Sequence, residues 1–251
     1  MLSNSVTAII ITLNEESNIR DCLESVKWVD EIVVLDSGST DNTVAIASEY
    51  SDKVFITDWP GFGEQKNRAL AKATGAWILS IDADEIVTPE LRNEIETKIN
   101  GMRCDGFSIP RQSSYCGKFL KHGGWWPDRI VRVAKRSKCH FDNSIIHEKM
   151  IVDGEVCNLA HPLIHHTYRN LDEVISMINR YSSASAELMY KNKRSSGLGT
   201  AIIRALWTFF RTYFLRAGIL DGREGFMLAV SNAELAYYKY LKLYYKNSDE
   251  D

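Results

Sequence analysis

The stretch Trp77–Asp84 has the sequence WILSIDAD, in which an apolar run ends in two carboxylates separated by one residue. A continuous apolar run of this kind is typical of a strand that is buried on both faces of a sheet. If the chain turns where the run ends, Asp82 and Asp84 can both face one ligand. Carboxylate oxygens suit Mg²⁺ or Mn²⁺, and such an ion binds a diphosphate. A DxD pair alone is a weak signal, because most are solvated turns, and the strand before it favours a functional role.

Apolar strands and helical repeats alternate on the N-terminal side of this stretch. VTAIIIT at Val6–Thr12 and EIVVL at Glu31–Leu35 have the β-branched composition of central parallel strands, and a shorter strand is expected at Lys53–Ile56. Apolar residues recur at helical spacing over residues 19–26, and helices are also expected over residues 43–50 and 64–73. This alternation predicts a parallel α/β sheet, in which ligands bind at the carboxyl ends of the strands where the strand order reverses.

The alternation fails on the C-terminal side. Thr88-Pro89 begins a helix, with Thr88 as its N-cap, and strands are expected at Gly106–Pro110 and Asp128–Val133. From Leu171 onward the spacing is helical, interrupted by a polar linker at residues 194–199. We therefore expect a catalytic α/β part over residues 1–168 and a helical region over residues 169–251.

Composition disfavours several other classes of protein. The 251 residues carry a formal net charge of −3, which gives no general attraction to nucleic acid. The five cysteines contain no CxxC pair, so neither a zinc knuckle nor a thioredoxin-type site is indicated, and reduced thiols are expected. The N-terminal apolar run lacks a basic region and a cleavage site, and no stretch has the roughly 18 apolar residues that a spanning helix needs.

Other polar residues also follow strands. Thr12, Asn14 and Glu15 follow the first strand, and Asp36 follows the second, where an acceptor could bind a nucleobase or a ribose hydroxyl. The alternative for Asp36 is turn formation and helix capping. The chain has no GxGxxG, which disfavours a dinucleotide site. Lys66 lies at the start of a helix after two glycines and could meet a phosphate, although a solvated lysine is the simpler interpretation.

These motifs, taken in order, resemble family 2 glycosyltransferases over roughly residues 5–150. The matching pieces are IIITLNEE, VVLDSGSTDNT, GFGEQKNRALAKATGAWILSIDADE and IIHEKM. A narrower likeness, to lipopolysaccharide inner-core glucosyltransferases that add β-1,4-linked glucose to heptose, rests on DWPGFG, GGWWPDRIVRV and YFLRAGILDGREGF. The resemblance implies a GT-A (nucleotide-diphospho-sugar transferase) fold with a helical C-terminal extension, a UDP-sugar donor and an inverting displacement.

The resemblance also implies roles for single residues. The nucleoside would be held by Thr12, Asn14, Glu15 and Asp36, the diphosphate by Lys66, and the metal by Asp82 and Asp84, with Asp82 also at the ribose. An inverting displacement needs a base for the acceptor hydroxyl. Glu148 falls where the family places that base, Asp128 is the second candidate, and the structural alternative for Glu148 is an exposed strand-end side chain.

Aromatic and basic residues between the predicted strands could bind the acceptor. Trp125 and Trp126 could stack on sugar rings, and core packing is the equal alternative. Arg129 and Arg132, near Asp128, could bind acceptor phosphates, as could Arg111. Three histidines, at positions 161, 165 and 166, are interpreted as mostly structural, although one of them could complete the metal shell.

The segment Lys191–Arg223 is basic and amphipathic. Its helical face of large apolar residues is flanked by Arg204, Arg211 and Arg216. Interfacial helices have this composition, so we expect binding to an anionic membrane surface, and the suggested acceptor is itself a lipid. With that acceptor, the enzyme would be cytoplasmic, peripheral on the cytoplasmic face of the inner membrane. The alternative is packing on the catalytic part or on a second subunit, as in a homodimer. The apolar face consists of Ile203, Leu206, Trp207, Phe210 and Phe214.

Other functions remain open at this point. The acceptor could be another glycan or a protein. A nucleotidyltransferase would usually carry a Gly-rich basic loop after the first strand, where this chain has Thr-Leu-Asn-Glu-Glu. A catalytically dead membrane adaptor is disfavoured because Asp82, Asp84 and Glu148 are all present.

Overall fold

A computed structural model of the chain describes residues 4–101, 103–142 and 148–248. The chain forms two compact units. The first contains residues up to 111 together with residues 128–165, and the second contains residues 112–127 and the chain from residue 166 onward. The second unit thus includes a segment, Gln112–Pro127, that lies before the boundary we expected at residue 168.

Four parallel strands form one side of the sheet in the first unit. Along the chain, these strands and the helices between them are β1 (Val6–Thr12), α1 (Ile19–Val26), β2 (Glu31–Asp36), α2 (Thr43–Ser48), β3 (Val54–Ile56), α3 (Phe62–Lys72) and β4 (Trp77–Ser80). The predicted alternation is confirmed. In space the order of the strands is β3-β2-β1-β4. Because the chain moves outward from β1 to β3 and then returns to the other side of β1, the strand order reverses beside β1.

Apolar side chains from both faces of these strands are buried. Ile10, Val34 and Leu79 pack with helix α1 in one core cluster, whereas Ile9 and Ile78 pack in a second cluster. Successive residues of a strand point to opposite faces, so a continuous apolar run supplies both clusters. This explains why the strands have no polar alternation.

The remainder of the sheet is mixed. Strand β8 is antiparallel to both β4 and β6, and the full order is β3-β2-β1-β4-β8-β6-β12-β5, with β7 and β11 beside β6. The Thr88 hydroxyl accepts the backbone N–H of Leu91 at 3.2 Å, which confirms the predicted helix start. These elements are β5 (Glu85–Val87), α4 (Pro89–Gly101), β6 (Gly106–Tyr115), β7 (Lys118–Phe119), β8 (Asp128–Lys135), β9 (Cys139–Phe141), β10 (Met150–Val152), β11 (Val156–Asn158) and β12 (Leu163–Tyr168).

Glu31, at the start of β2, holds the amino-terminal edge of the parallel strands. Its carboxylate accepts the Thr7 hydroxyl at 2.6 Å and the Thr74 backbone N–H at 2.7 Å, and it pairs with Lys53. Burial alone would raise the pKa of Glu31, but Lys53 and the hydrogen bonds outweigh it and lower the pKa to about 2. Nearby, Gly75 has to be glycine, since a Cβ there would lie 2.6 Å from the Thr7 hydroxyl oxygen.

Two cysteines form a disulfide, so the expectation of reduced thiols is wrong for them. Cys104 and Cys157 are bonded with their Cα atoms 6.0 Å apart, whereas Cys22, Cys116 and Cys139 are free. The pairing arises because β11 lies parallel to β6, with Cys157 opposite Phe107. Since 53 residues separate the two cysteines, their spacing gave no signal.

Three helices make up most of the second unit: α5 (Leu171–Lys191), α6 (Leu198–Phe210) and α7 (Gly222–Ser248). Helix α7 packs against both α5 and α6, and Leu228 is buried with Val174, Ile178 and Tyr115. A π-helical turn, Arg211–Leu215, continues α6, and a 3-10 turn at Gly218–Asp221 precedes α7. Among the described residues, no helix is long and apolar enough to cross a bilayer.

Candidate functional site

The predicted nucleoside residues lie at the carboxyl ends of β1 and β2. Thr12 and Asp36 are neighbours in the strand register, and the Thr12 hydroxyl donates to Asp36 Oδ2 at 2.9 Å. The other carboxylate oxygen of Asp36 accepts the backbone N–H groups of Gly38 and Ser39 at 2.8 and 2.7 Å. Asp36 therefore shapes its own turn, as the structural alternative required, and its contact with a nucleoside stays a prediction.

The loop after β1 is tied to the loop after β2. Asn14 Oδ1 accepts the Thr40 backbone N–H at 2.9 Å, and the Asn14 N–H donates to the Ser39 hydroxyl at 2.8 Å. The Glu15 N–H donates to the Thr43 hydroxyl at 2.8 Å. Asn14 also has a φ of 56°, a left-handed conformation that asparagine tolerates better than most residues. The fold thus brings all four predicted nucleoside residues to one edge of the sheet.

Lys66, on the first turns of α3, lies between two carboxylates. Its Nζ is 2.9 Å from Asp82 Oδ1 and 2.7 Å from Glu148 Oε1. The lysine side chain is only 4% exposed, so the interpretation of a solvated lysine is wrong. A buried ammonium is tolerated because paired carboxylates replace its lost hydration. The structure therefore joins the predicted diphosphate ligand, the first acid of the DxD pair and the predicted base.

Arg132, on β8, holds the turn that contains Asp82. Its Nη2 pairs with Asp82 and lies 2.7 Å from Glu85 Oε1, and Glu85 Oε2 accepts the Asp82 backbone N–H at 3.0 Å. We expected Arg132 to bind acceptor phosphates, but the structure places it, buried, in this network. Glu85 was not predicted, although a carboxylate directly after a DxD pair could have drawn attention to it.

Burial and the neighbouring cations shift the pKa values of Asp82 and Glu85 in opposite directions. Burial would raise the pKa of Asp82, but Arg132 and Lys66 outweigh it, and the pKa lies well below its usual range. For Glu85, which is completely buried, burial dominates over Arg132 and raises the pKa. Burial and the neighbouring cations therefore separate the two acids, with the pKa of Asp82 lowered and that of Glu85 raised.

The ion pairs continue to the second candidate base. Arg111 Nη1 lies 3.6 Å from Glu85 Oε1, and Arg111 Nη2 lies 2.6 Å from Asp128 Oδ2. Arg111 and Asp128 face each other across β6 and β8, which accounts for their contact. Acids and bases thus alternate in one ion-pair series with a candidate base at each end: Glu148, Lys66, Asp82, Arg132, Glu85, Arg111 and Asp128.

Asp84 faces a histidine instead of a cation of this series. His165 Nε2 lies 3.1 Å from Asp84 Oδ2, because β12 pairs with β5 and places His165 opposite Glu85. Of the three histidines, His161 instead pairs with Glu94 at 2.8 Å, and His166 lies against the Phe119 ring. An imidazole nitrogen and a carboxylate oxygen within one contact distance fit a divalent cation, so Asp84 and His165 are the residues that could hold one.

The remaining predicted acceptor residues are dispersed. Trp125, in the second unit, packs its ring against Tyr115 and Tyr168, with centroids 5.9 and 6.2 Å apart. Trp126 is partly exposed. In the first unit, Arg129 donates to the Leu159 carbonyl at 3.0 Å. An acceptor role for these residues stays a prediction.

The chain is similar to known glycosyltransferases in both structure and sequence. It superposes on a solved structure of S. aureus TarS 1–349 in complex with UDP-GlcNAc with a TM-score of 0.50, at 14% identity, over 98% of this chain and 92% of that one. An uncharacterised glycosyltransferase of Rickettsia felis is 30% identical over 95% of this chain and 88% of its own. A lipopolysaccharide core biosynthesis glycosyltransferase of Rhizobium meliloti, LpsC, is 29% identical over 97% of this chain and 93% of its own.

The fold is the GT-A-like mixed sheet with flanking helices and a helical C-terminal region that we expected. Residues 7–150, more than half of the chain, match the model of glycosyl transferase family 2. This range includes Thr12, Asp36, Lys66, the DxD pair and Glu148. The chain belongs to glycosyl transferase family 2.

Proposed function

We propose that the enzyme is an inverting hexosyltransferase that moves a sugar from a UDP-sugar to a heptose of a lipopolysaccharide or lipooligosaccharide inner core. Glucose is the first candidate for that sugar. The observation that carries the proposal is Lys66, which joins the DxD residue Asp82 to Glu148 within 2.9 Å. The acceptor class is supported by the inner-core likeness of the sequence and by LpsC, which is named for lipopolysaccharide core biosynthesis.

The residues of the site have separate tasks in this reaction. Asp84 and His165 would hold Mg²⁺ or Mn²⁺, which when bound supplies a Lewis acid to the diphosphate oxygens. Lys66 would donate to the same diphosphate. Asp82 would border the ribose, and Asp36 would border the base. Glu148 accepts the proton of the acceptor hydroxyl. As it does so, the hydroxyl oxygen of the acceptor bonds to the anomeric carbon, and the bond from that carbon to the diphosphate oxygen breaks. Attack from the opposite face inverts the configuration.

A donor screen tests this function. Nucleotide release would be measured from UDP-glucose, UDP-galactose, UDP-N-acetylglucosamine and GDP-sugars, each with Mg²⁺ or Mn²⁺ and a heptose-containing inner-core oligosaccharide. We expect release with a UDP-sugar only when the acceptor is present, and release that is slower by about 10² or more with Glu148→Gln. Release that needs no glycan acceptor, or that occurs only with a protein acceptor, would contradict the proposal.

The second unit provides a surface for a lipid-linked acceptor. The five side chains of the apolar face are each between 45% and 67% exposed. Ring contacts join three of them, with the Phe210 ring centred 6.1 Å from that of Trp207 and 5.3 Å from that of Phe214. Leu215, Ile219 and Leu220, in the turns after α6, are exposed as well. Clustered large apolar side chains that are exposed in this way are typical of interaction sites.

Charge favours an anionic lipid surface over a second copy of the chain. Residues 188–220 contain no acid and six lysines or arginines. A symmetric dimer through this face would bring two surfaces together that each carry Arg204, Arg211 and Arg216 and no acid, which is unfavourable. An anionic bilayer satisfies the arginines and buries the apolar side chains. We therefore propose a peripheral position on the cytoplasmic face of the inner membrane, where a lipid-linked acceptor would be presented.

A further inference from the structure

Lys66 serves two partners that belong to different halves of the proposed reaction. Asp82 belongs to the donor side, and Glu148 is the base for the acceptor hydroxyl. The lysine Nζ contacts both, at 2.9 and 2.7 Å, and its side chain is almost fully buried. A change in the position of this one ammonium therefore affects both halves at once.

The two carboxylates depend on Lys66 to different degrees. Asp82 keeps Arg132 as a second cation, and Arg132 is itself anchored by Glu85 at 2.7 Å. For Glu148, Lys66 is the one charged partner among the residues that the structure describes. Removal of Lys66 would leave Asp82 compensated by Arg132, and it would leave Glu148 without a charged partner in the described part of the chain.

A nucleoside diphosphate competes with Glu148 for this ammonium. Phosphate oxygens accept strong charge-assisted hydrogen bonds, and a diphosphate carries more charge than one carboxylate. The lysine ammonium is a compact charge on a flexible four-carbon stem, so it can shift between neighbouring anions. A Lys66 that stays on Glu148 occupies Oε1, one of the two carboxylate oxygens that could receive the proton of the acceptor.

We propose that the donor diphosphate draws Lys66 away from Glu148, so that the base is released only when the donor is bound. The inference rests on the proposed function and adds to it the way in which the base is freed: the Lys66 ammonium moves from Glu148 Oε1 to the diphosphate, and the acceptor hydroxyl then meets a carboxylate that no longer contacts this cation. In the absence of donor, Lys66 keeps the base occupied.

A double-mutant cycle tests the exchange with UDP and Mn²⁺ as the probe. Calorimetry would give the Kd for wild type, Glu148→Gln, Lys66→Gln and the double variant. If UDP has to displace Glu148 from Lys66, Glu148→Gln should tighten UDP binding by about threefold to tenfold, the coupling expected for contacting charged groups. The tightening should vanish when Lys66 is already replaced. Two exposed positions of α3, Glu64→Gln and Lys72→Gln, make the same charge changes as controls and should leave this coupling at zero.

Three other results overturn the exchange. Unchanged or weaker UDP binding by Glu148→Gln means that Lys66 does not leave Glu148. Tightening that persists in the Lys66→Gln background means that Glu148 only repels the diphosphate. Absence of UDP binding by every form, including wild type, overturns the proposed function as well. If Lys66→Gln alone does not fold, the double variant, which leaves no unpaired charge, should still bind UDP more weakly than Glu148→Gln.

Discussion

The imidazole Nε2 of His165 lies 3.1 Å from Oδ2 of Asp84, although 81 residues separate the two in the chain. This contact gives the second DxD carboxylate a nitrogen partner, whereas the first carboxylate is committed to Lys66 and Arg132. The two acids of the motif therefore have different environments. We therefore propose that Asp84 and His165 bind the cation and that Asp82 positions the donor, while a cation contact of Asp82, the other predicted metal ligand, stays a prediction.

Asp84→Ala should abolish sugar transfer and the metal-dependent part of UDP binding. His165→Ala should weaken the metal-dependent part, because one ligand of the cation is lost. Calorimetry of UDP with and without Mn²⁺ measures both, and His161→Ala is the matched control, since its partner is Glu94. Unchanged metal dependence of UDP binding in Asp84→Ala would contradict the proposal that the cation binds at Asp84.

Glu148→Gln should lower turnover by about 10² or more without weakening donor binding, because the amide keeps the shape and lacks the basicity. Single-turnover transfer assays give the rate, and UDP calorimetry gives the affinity. Asp128→Asn is the comparison, since Asp128 lies at the other end of the ion-pair series. A normal rate for Glu148→Gln together with an inactive Asp128→Asn would move the base to Asp128.

Glu31→Gln should destabilise the fold in a pH-dependent way. The folded-state pKa of about 2 lies below the ordinary 4.5, so the carboxylate stabilises the fold fully above about pH 5. This contribution is lost as the pH falls towards 2. At pH 7 we expect a loss of roughly 1–2 kcal/mol, after allowance for screening by solvent.

Urea unfolding of wild type and Glu31→Gln at several pH values checks this expectation. The difference between them should shrink steadily from pH 5 to pH 2. Glu96→Gln, at an exposed pair with Arg92, is the control and should change stability little at any pH. If the difference in unfolding free energy stays constant from pH 5 to pH 2, the charge of Glu31 does not account for its stabilising effect.

Membrane binding should depend on both parts of the C-terminal surface. Replacement of Arg204, Arg211 and Arg216 by glutamine should lose binding to anionic vesicles, since each arginine near such a surface contributes about 1 kcal/mol. Activity on a soluble acceptor fragment should remain nearly intact. Co-sedimentation across a salt series measures the binding, which salt should weaken and neutral lipid should not support.

The matched control replaces Arg20, Lys27 and Arg92, three exposed cations of the first unit, and should retain vesicle binding. A wild-type protein that stays in the supernatant with anionic vesicles at low salt contradicts the membrane proposal. If sedimentation velocity then shows a dimer that Trp207→Ser dissociates, the apolar face is a contact between two copies.

Local pattern was sufficient for the parallel half of the fold and for one edge of the site. The run Val6–Thr12 is apolar on both faces and therefore predicts a central strand, and the observed β1 has the same bounds. Thr12, Asp36 and the DxD pair follow such strands directly, so their common edge could be expected from the chain alone. The position of Lys66 at the start of a helix predicted a phosphate ligand, but its burial was not expected.

Only the tertiary structure decided which charges meet. Arg132 comes from β8 and reaches Asp82 because β8 lies antiparallel beside β4, and His165 reaches Asp84 because β12 pairs with β5. Such neighbours depend on strand order across the sheet, and local periodicity carries no information on that order. For the same reason, the disulfide between Cys104 and Cys157 could not be predicted from the sequence. Residue type and spacing determined the chemistry available to this chain, and long-range strand pairing decided which of its ionisable groups are partners.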